Sequence, residues 1–419
     1  MPVPFVVPVH GDGALPKNVD VVVIGGGIIG AATALELAEQ KVSVALCEKG
    51  GIGHEQSSRN WGWVRLSRRD PREIPLMVAA LKIWQTLDSR LAADTGYQRA
   101  GIVFTCHSEK EFAEHQRWCQ SISDYAFSTH MLDSRQFQQR FPATPVVPLG
   151  AMYAPEDGRA EPQKVAPALA EAARRNGAAI LTECAVRGIE TSAWSGLFAG
   201  RFGLRLPQLK VMNSVLRTAP LAGGPEEALW YEDFAIRKRQ DGGYTVASGH
   251  ENIVDIVPDA FRHARPFLPA LRSEWRSLRP RLGWRFLDEA RLGRHWAMDE
   301  ASPFEYCRVL DPKPSMALSQ RPFEQLKRHF PQFNQARIAQ RWAGCIDVVP
   351  DAVPVISPVD SLPGFFIATG FSGHGFGIGP AAGRLMADLV LGRPPIVDPR
   401  AFRFSRFSDG SKIDIISGI

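Results

Sequence analysis

The chain has 419 residues, of which 45% are apolar and 22% charged, with a net charge of +5 at pH 7. This length exceeds one ordinary domain, so we expect two domains, and the composition excludes wholesale disorder. The basic excess is too small for a nucleic-acid binder, and the six cysteines include no C-x-x-C pair. The longest apolar run, residues 21–34, is too short to span a membrane. These features favour a cytoplasmic globular protein with reduced thiols and no metal site.

The first motif is a βαβ unit near the N-terminus. Residues 20–24 (DVVVI) predict a buried parallel strand, followed by a helix through about Gln40 and a second strand over residues 42–47. The glycines between strand and helix have G-x-G-x-x-G spacing, which allows a tight turn and close approach of the backbone to a pyrophosphate. Glu48, at the end of the second strand, can accept hydrogen bonds from a ribose diol and would repel a 2′-phosphate. The unit therefore predicts binding of FAD or NAD by Gly25, Gly27, Ile28, Ile29, Gly30, Glu48 and Lys49.

Further elements follow along the chain. Helical periodicity returns at residues 74–91 and 162–176, and the second helix ends at Asn176-Gly177 before a strand over residues 178–183. The middle of the chain mixes short strands, a hairpin signal at residues 241–243 (DGG) and arginine-rich helices. Near the C-terminus, FFIATGFSGHGFGIGPAAGRLMADLVL predicts a strand, a glycine loop and a helix. Backbone N–H groups in such a loop can hydrogen-bond a cofactor.

Three segments together resemble a known family: the βαβ unit, EQSSRNWGWVR, and PDAVPVISPVDSLPGFFIATGFSGHGFGIGPAAG. They are similar to the FAD-dependent D-amino-acid oxidase superfamily, in the branch with glycine oxidase, sarcosine oxidase and D-amino-acid dehydrogenase. The resemblance implies FAD rather than NAD. It also implies an α/β fold, with a Rossmann-type FAD-binding domain and an interleaved α+β substrate domain built on an antiparallel sheet. We expect residues 1–95, 149–215 and 339–419 in the FAD-binding domain, and residues 96–148 and 216–338 in the substrate domain.

The resemblance also implies roles for single residues. In that family the GxSGHG loop lies against the flavin ring, which implies contacts from Gly370, Ser372, Gly373, His374 and Gly375. It further implies cofactor contacts from Ser57, Ser58 and the backbone of Val186, the last at the position that meets adenine. Arg65 corresponds approximately to the arginine that holds the substrate carboxylate, and a guanidinium suits a carboxylate bidentately. A surface arginine in a cluster with Arg68, Arg69 and Arg72 is the alternative interpretation.

Other side chains are candidates for the substrate pocket. Trp61, with Trp63, could form an apolar wall over the flavin, and His374 could tune the flavin or position substrate. Tyr244 and His250 lie on or near the predicted hairpin and could line the pocket. A purely structural role is the alternative for Trp61, Tyr244 and His250.

The sequence departs from the family at three places. Sarcosine oxidases carry a lysine where this chain has Gly377, which favours a dehydrogenase over an oxidase. Their covalent-flavin cysteine aligns with Gly344 rather than Cys345, which predicts non-covalent FAD. Around residues 188–194 (GIETSAW), close to Thr191, about twenty residues of a hairpin and strand are missing. In the family that strand completes the FAD sheet, so here either other segments replace it or cofactor binding is weaker.

The function predicted from these features is FAD-dependent oxidative deamination of an amino acid, with a D-amino acid favoured. Arg65 would clamp the carboxylate, hydride would pass to the flavin, and the electrons would go to a quinone or another carrier. The alternatives are an oxygen-using oxidase of an N-alkylated or cyclic amino acid, and a flavin-binding subunit of a heteromeric complex. Residues 261–296 contain nine arginines among Phe, Leu and Trp. This basic segment could contact an anionic membrane, at its inner face, or a partner subunit; a solvated helical face is the alternative.

Overall fold

A computed structural model of the chain describes residues 4–188, 204–275, 277–292 and 296–416. Its strands are β1 (Val21–Ile24), β2 (Val44–Cys47), β3 (Trp63–Val64), β4 (Ile102–Cys106), β5 (His130–Asp133), β6 (Gly150–Ala154), β7 (Gly158–Arg159), β8 (Ala179–Leu181), β9 (Leu209–Thr218), β10 (Ala228–Trp230), β11 (Ala235–Lys238), β12 (Tyr244–Ala247), β13 (Asn252–Asp255), β14 (Leu278–Arg281), β15 (Ile338–Val348), β16 (Val355–Pro358) and β17 (Phe366–Thr369). Its α-helices are α1 (Ile28–Glu39), α2 (Gln56–Arg59), α3 (Ile74–Leu91), α4 (Glu109–Ser121), α5 (Ser134–Arg140), α6 (Pro162–Arg175), α7 (Pro258–Arg262), α8 (Ala264–Glu274), α9 (Trp284–Arg291), α10 (Pro303–Tyr306), α11 (Met316–His329) and α12 (Gly375–Val390).

A parallel sheet with strand order β1-β2-β8 carries the predicted βαβ unit. Helices α1, α3, α6 and α12 form a core with it, in which Leu35, Leu46 and Leu385 are almost fully buried. Strand β2 begins two residues later than predicted because Lys41 adopts a left-handed conformation (φ 66°) and the Val42 N–H returns to the Leu37 carbonyl. That hydrogen bond ends α1 in the manner of a Schellman motif.

The first strand is not buried as the sequence predicted. Val22 and Ile24 are 51% and 43% exposed, whereas Val21 and Val23 are half-buried. Alternate residues of a strand point to opposite faces, and α1 covers only one face of this sheet. Within the described ranges the other face is open at β1. The segment predicted to be missing near Thr191 falls on residues 189–203, outside the described part of the chain.

A second sheet of ten strands has the order β14-β13-β9-β12-β11-β10-β4-β6-β5, and β15 also pairs with β9. The sequence predicted an antiparallel sheet, but the sheet is mixed, because β4 pairs with β10 and β13 with β14 in parallel. The predicted hairpin at residues 241–243 is confirmed: it joins β11 to antiparallel β12, with Gly242 at φ 81°.

The domain boundaries remain a prediction. The sequence placed β6, the larger part of β9 and nearly all of β15 in the FAD-binding ranges, whereas these strands belong to the ten-stranded sheet. The predicted order of strand, glycine loop and helix near the C-terminus is confirmed as β17, residues 370–374 and α12. No helix among the described residues has the length and apolar character needed to cross a membrane.

Candidate active site

The turn between β1 and α1 is shaped by its glycines. Gly25 has φ 108°, which an L side chain rarely adopts, and its N–H donates to the Cys47 carbonyl at 2.8 Å. A Cβ on Gly30 would collide with the Gly25 carbonyl oxygen, so only glycine lets the helix start this close to the turn. Helix α1 has no side-chain cap from Gly27, so the first-turn N–H groups that follow Ile28 can bind an anion. Ile28 and Ile29 open the helix at that point.

Glu48 and Ser57 organise this turn from two sides. The Glu48 carboxylate accepts the N–H groups of Gly26 and Gly50, each at 2.7 Å. Burial raises the pKa of Glu48, and these two hydrogen bonds oppose that effect. The Ser57 hydroxyl accepts the Ile28 N–H at 2.9 Å. The predicted cofactor residues Glu48 and Ser57 therefore both meet the N-terminus of α1.

Three predicted cofactor residues sit at the margin of this turn. Ser58 is fully buried in α2, and its hydroxyl donates to the Glu55 carbonyl. The Lys49 ammonium forms an ion pair with Glu55 at 2.8 Å, so its charge is directed towards α2. Val186 is half-buried and packs beside Cys47, at the end of β2.

The second glycine loop has three residues in the left-handed region: Gly370 (φ 70°), Ser372 (φ 47°) and Gly373 (φ 81°). Asp347 in β15 holds this loop, because its carboxylate accepts the Gly370 N–H at 2.7 Å and its carbonyl accepts the Ser372 N–H at 2.9 Å. The sequence analysis missed Asp347, which lies 23 residues before the loop and shares no motif with it.

Gly344 and Cys345 lie on opposite faces of β15. A Cβ on Gly344 would lie 3.0 Å from the Arg59 Cβ, on the side of α2. Cys345 points the other way, with its Sγ 4.0 Å from the Arg285 guanidinium. Ile346, on the Gly344 face, approaches Gly373 of the glycine loop. Because Cys345 faces away from that loop, the geometry agrees with non-covalent FAD.

After β3 the chain makes an arginine-rich turn at residues 65–69. Asp157, almost fully buried, accepts the N–H groups of Leu66 at 2.6 Å and Ser67 at 3.2 Å, and also the Ser67 hydroxyl. Burial raises the pKa of Asp157 to about 6 against these hydrogen bonds. The Arg65 guanidinium donates to the Ser67 carbonyl. Burial, with the neighbouring charges of Arg69 and Arg68, lowers the pKa of Arg65.

Buried Arg69 and Glu73 connect this turn to the second glycine loop. Arg69 donates to the carbonyls of Arg65 at 3.2 Å and His374 at 3.1 Å. Glu73 is fully buried and immediately precedes α3. Its Oε2 lies 3.2 Å from His374 Nδ1, and its Oε1 has no partner among the described residues. Burial, followed by the charge of Arg69, lowers the pKa of His374 and so disfavours the charged imidazolium. Glu73 and Arg69 were not predicted as site residues because neither belongs to a motif.

Four aromatic side chains, Trp61, Trp63, Phe104 and Trp230, form what we call the aromatic wall. The Trp61 ring centroid lies 5.6 Å from Trp63 and 5.7 Å from Trp230, and Trp63 lies 6.0 Å from Phe104. The guanidinium of Arg65 lies 5.9 Å from the Phe104 ring centroid. The structure therefore places Trp61 and Arg65 in one cluster, connected through Trp63 and Phe104.

Of the two candidates near the hairpin, only His250 reaches this group. Its ring lies 5.3 Å from Trp230. Tyr244 instead is fully buried in the core of the ten-stranded sheet, with its ring 4.8 Å from Phe333 and its hydroxyl donating to the Pro225 carbonyl. Its assignment to the pocket is corrected, because alternation along β12 turns Tyr244 towards α11 and the core.

A Rossmann βαβ unit, a second glycine loop and a cluster of arginine and aromatic side chains define a dinucleotide-dependent oxidoreductase. The chain belongs to the FAD dependent oxidoreductase family (DAO), whose sequence profile matches residues 20–193 and 191–389. The resemblance to this family is thereby confirmed, and FAD is its cofactor. The site fits FAD, because the start of α1 has no cap from Gly27 and keeps first-turn N–H groups beyond Ile28 for a pyrophosphate, and Glu48 keeps acceptor capacity for a ribose.

Three known proteins similar to this chain are named for action on amino acids. The structure of L-amino acid deaminase from Proteus myxofaciens has a TM-score of 0.93 and 30% sequence identity, over 96% of this chain and 97% of that one. Glycine oxidase of Geobacillus kaustophilus is 24% identical over 92% of this chain and 97% of its own length. Human mitochondrial sarcosine dehydrogenase is 24% identical over 94% of this chain, which spans 42% of that enzyme's length.

Proposed function

We propose that this protein is an FAD-dependent deaminase of α-amino acids, which removes two electrons from the C–N bond of its substrate. The observation that carries the proposal is the Arg65 guanidinium, placed at the aromatic wall and bonded only to the Ser67 carbonyl among the described residues. Such a guanidinium has free donors in a bidentate arrangement, which matches a substrate carboxylate.

The residues of this site have separate roles in the proposed reaction. Arg65 binds the α-carboxylate and so fixes the orientation of the α-carbon. The aromatic wall excludes water from the reacting bond, which strengthens the ion pair with Arg65. Arg69 and Glu73 hold the second glycine loop through His374. FAD, when bound, supplies the chemistry by accepting a hydride from the α-carbon.

For chirality we propose an L-amino acid. The support is the L-amino acid deaminase of Proteus myxofaciens, which reaches 30% identity over nearly the whole chain. The D-amino acid favoured by the sequence stays a prediction and is the alternative that the experiment below distinguishes.

For the electron acceptor we propose a quinone or another carrier rather than oxygen. Gly377 supports this, because the chain carries no lysine ammonium at the place where sarcosine oxidases have one. A Cβ at that position would lie in van der Waals contact, at 3.4 Å, with the backbone nitrogen of Arg65, the backbone oxygen of Trp63 and the Met77 methyl group. The alternative is an oxygen-using oxidase of an N-alkylated or cyclic amino acid, since N-methyl-L-tryptophan oxidase of Yersinia pestis is also similar, at 23% identity.

We further propose that the protein meets its acceptor at an anionic membrane surface. Helices α7 to α9 expose apolar side chains beside arginines, including Phe261 at 69%, Trp275 at 61% and Trp284 at 82%. Aromatic and basic side chains together favour the lipid interface. A partner subunit is the alternative, since sarcosine oxidase subunit beta of Arthrobacter is 23% identical over 95% of this chain. Sedimentation with vesicles of anionic lipid, with and without salt, separates the two.

The test of the proposed function is anaerobic titration of the FAD-loaded protein with L-, D- and N-methyl amino acids. We expect L-amino acids to bleach the flavin absorbance and a quinone, but not air, to restore it. Bleaching by D-amino acids alone would overturn the assignment of chirality, and peroxide formation in air would favour the oxidase. A flavin that no amino acid reduces would favour the flavin-binding subunit of a larger complex.

A further inference from the structure

Arg68 has φ 57°, a backbone conformation that residues other than glycine rarely adopt. The left-handed region is unfavourable for an L-residue because Cβ crowds the following carbonyl oxygen. The turn is nevertheless fixed, because buried Asp157 accepts the N–H groups of Leu66 and Ser67 just before it. The fold therefore holds Arg68 in one orientation at a cost, which is typical of functional positions.

The Arg68 side chain is directed at the aromatic wall. Its guanidinium carbon lies 5.5 Å from the Phe104 ring centroid and 5.7 Å from the Trp230 ring centroid. The two ring centroids lie 5.9 Å apart, so the guanidinium carbon is about equally close to both rings. The residue is exposed, which leaves the outer face of the guanidinium open to a ligand.

Arg68 also lacks the partners that most arginines of this protein have. Arg69, Arg72 and Arg90 each lie within 4 Å of a carboxylate, whereas Arg68 has neither an ion pair nor a hydrogen bond within the ranges that the structure describes. The nearest acidic groups, Glu114 and Glu111, act on it only as more distant charges. An exposed guanidinium that lies against two aromatic rings and has five N–H donors can bind an anion.

Two such guanidinium groups converge on one ring. Arg65 lies over the Phe104 ring at 5.9 Å and Arg68 over the same ring at 5.5 Å. In the proposed function Arg65 takes the α-carboxylate, so the second guanidinium is available to the substrate's side chain. We propose that Arg68 determines specificity by binding a second carboxylate, and that the substrates are dicarboxylic amino acids of the aspartate and glutamate class. This inference rests on the proposed function.

The experiment compares glutamate and aspartate with the isosteric neutral amides glutamine and asparagine, by the rate of reduction of an artificial acceptor. We expect the wild type to prefer the acids, and Arg68→Gln to lower kcat/KM for them by about 100-fold, the size of a lost charge-assisted pair, while the amides change little. Arg68→Lys should recover part of the loss, because it keeps the charge without the fork. Arg400→Gln, which removes a surface ion pair with Asp398, is the matched control.

A second measurement needs no turnover. Glutarate and butyrate have no amino group to oxidise, so their binding to the FAD-loaded protein can be followed by calorimetry. We expect glutarate to bind more tightly than butyrate and Arg68→Gln to abolish the difference. Equal binding of glutarate and butyrate by the wild type would overturn the inference. An equal fall in kcat/KM for the acidic amino acids and their amides in Arg68→Gln would overturn it as well. If glutarate binds as expected but no amino acid reduces the flavin, the proposed function fails and the anion site of Arg68 stands.

Discussion

The contact between Gly30 and Gly25 gives the sharpest test of how this chain holds its cofactor. In Gly30→Ala the new methyl group would overlap the Gly25 carbonyl oxygen and would also lie 3.2 Å from the Gly25 carbonyl carbon and 3.3 Å from Val23 Cγ1. Both obstacles at Gly25 are backbone atoms, so no rotamer change relieves them. Gly25 is itself tied to β2 through the Cys47 carbonyl, so α1 has to move away from the turn.

Overpacking of this kind costs about 1–3 kcal/mol, and here the displacement falls on the first-turn N–H groups that serve the pyrophosphate. We therefore expect Gly30→Ala to weaken FAD binding by at least about 10-fold, which corresponds to about 1.4 kcal/mol. Flavin retained after gel filtration and the dissociation constant from flavin fluorescence measure the effect. Gly13→Ala is the control, because no atom of the described residues lies within 4 Å of the added methyl group. Wild-type FAD affinity in Gly30→Ala would refute this account of the turn.

Three further predictions concern the site and its surroundings. Arg65→Gln should raise KM for the amino acid by about 100-fold without loss of flavin, as measured by steady-state rates and absorbance. Tyr244→Phe removes the hydrogen bond to Pro225, so it should cost about 1 kcal/mol in urea unfolding and leave kcat/KM unchanged. The pKa of His374 is lower in the folded protein than its unfolded value of about 6.5, so the unfolded state binds the proton more readily and stability should fall as the pH drops below about 6.5. Urea unfolding between pH 5 and 8 should show a smaller fall in His374→Asn, and an equal fall in both proteins would contradict this assignment.

The parts of the fold that the sequence predicted well depend on neighbours close in the chain. The helix at Ile74–Leu91 was predicted with its observed bounds, because its apolar positions repeat with helical periodicity over eighteen residues. The glycine turn and the hairpin at residues 241–243 were also predicted, since conformations with positive φ call for glycine locally.

The parts that failed depend on which distant segment covers a given face. DVVVI predicts burial, yet Val22 and Ile24 are exposed because no described element covers that face of β1. Tyr244 follows the hairpin, but only the pairing of β12 with its neighbours decides that it faces the core. In the same way Asp347 supports a loop 23 residues away, and nothing in its local sequence signals that role.

The arginine cluster after β3 shows how charge balance distinguishes a site from a surface. The sequence left open whether Arg65, Arg68, Arg69 and Arg72 form a solvated patch. Arg69 is 2% exposed and pairs with Glu73, and Arg72 pairs with Asp70, which leaves Arg65 and Arg68 without carboxylates among the described residues. Burial lowers the pKa of Arg65, and the charge of Asp157, whose own pKa burial raises to about 6, opposes that effect only in part. In the proposed function the substrate carboxylate supplies the missing negative charge, so the imbalance around Arg65 provides binding energy for that carboxylate.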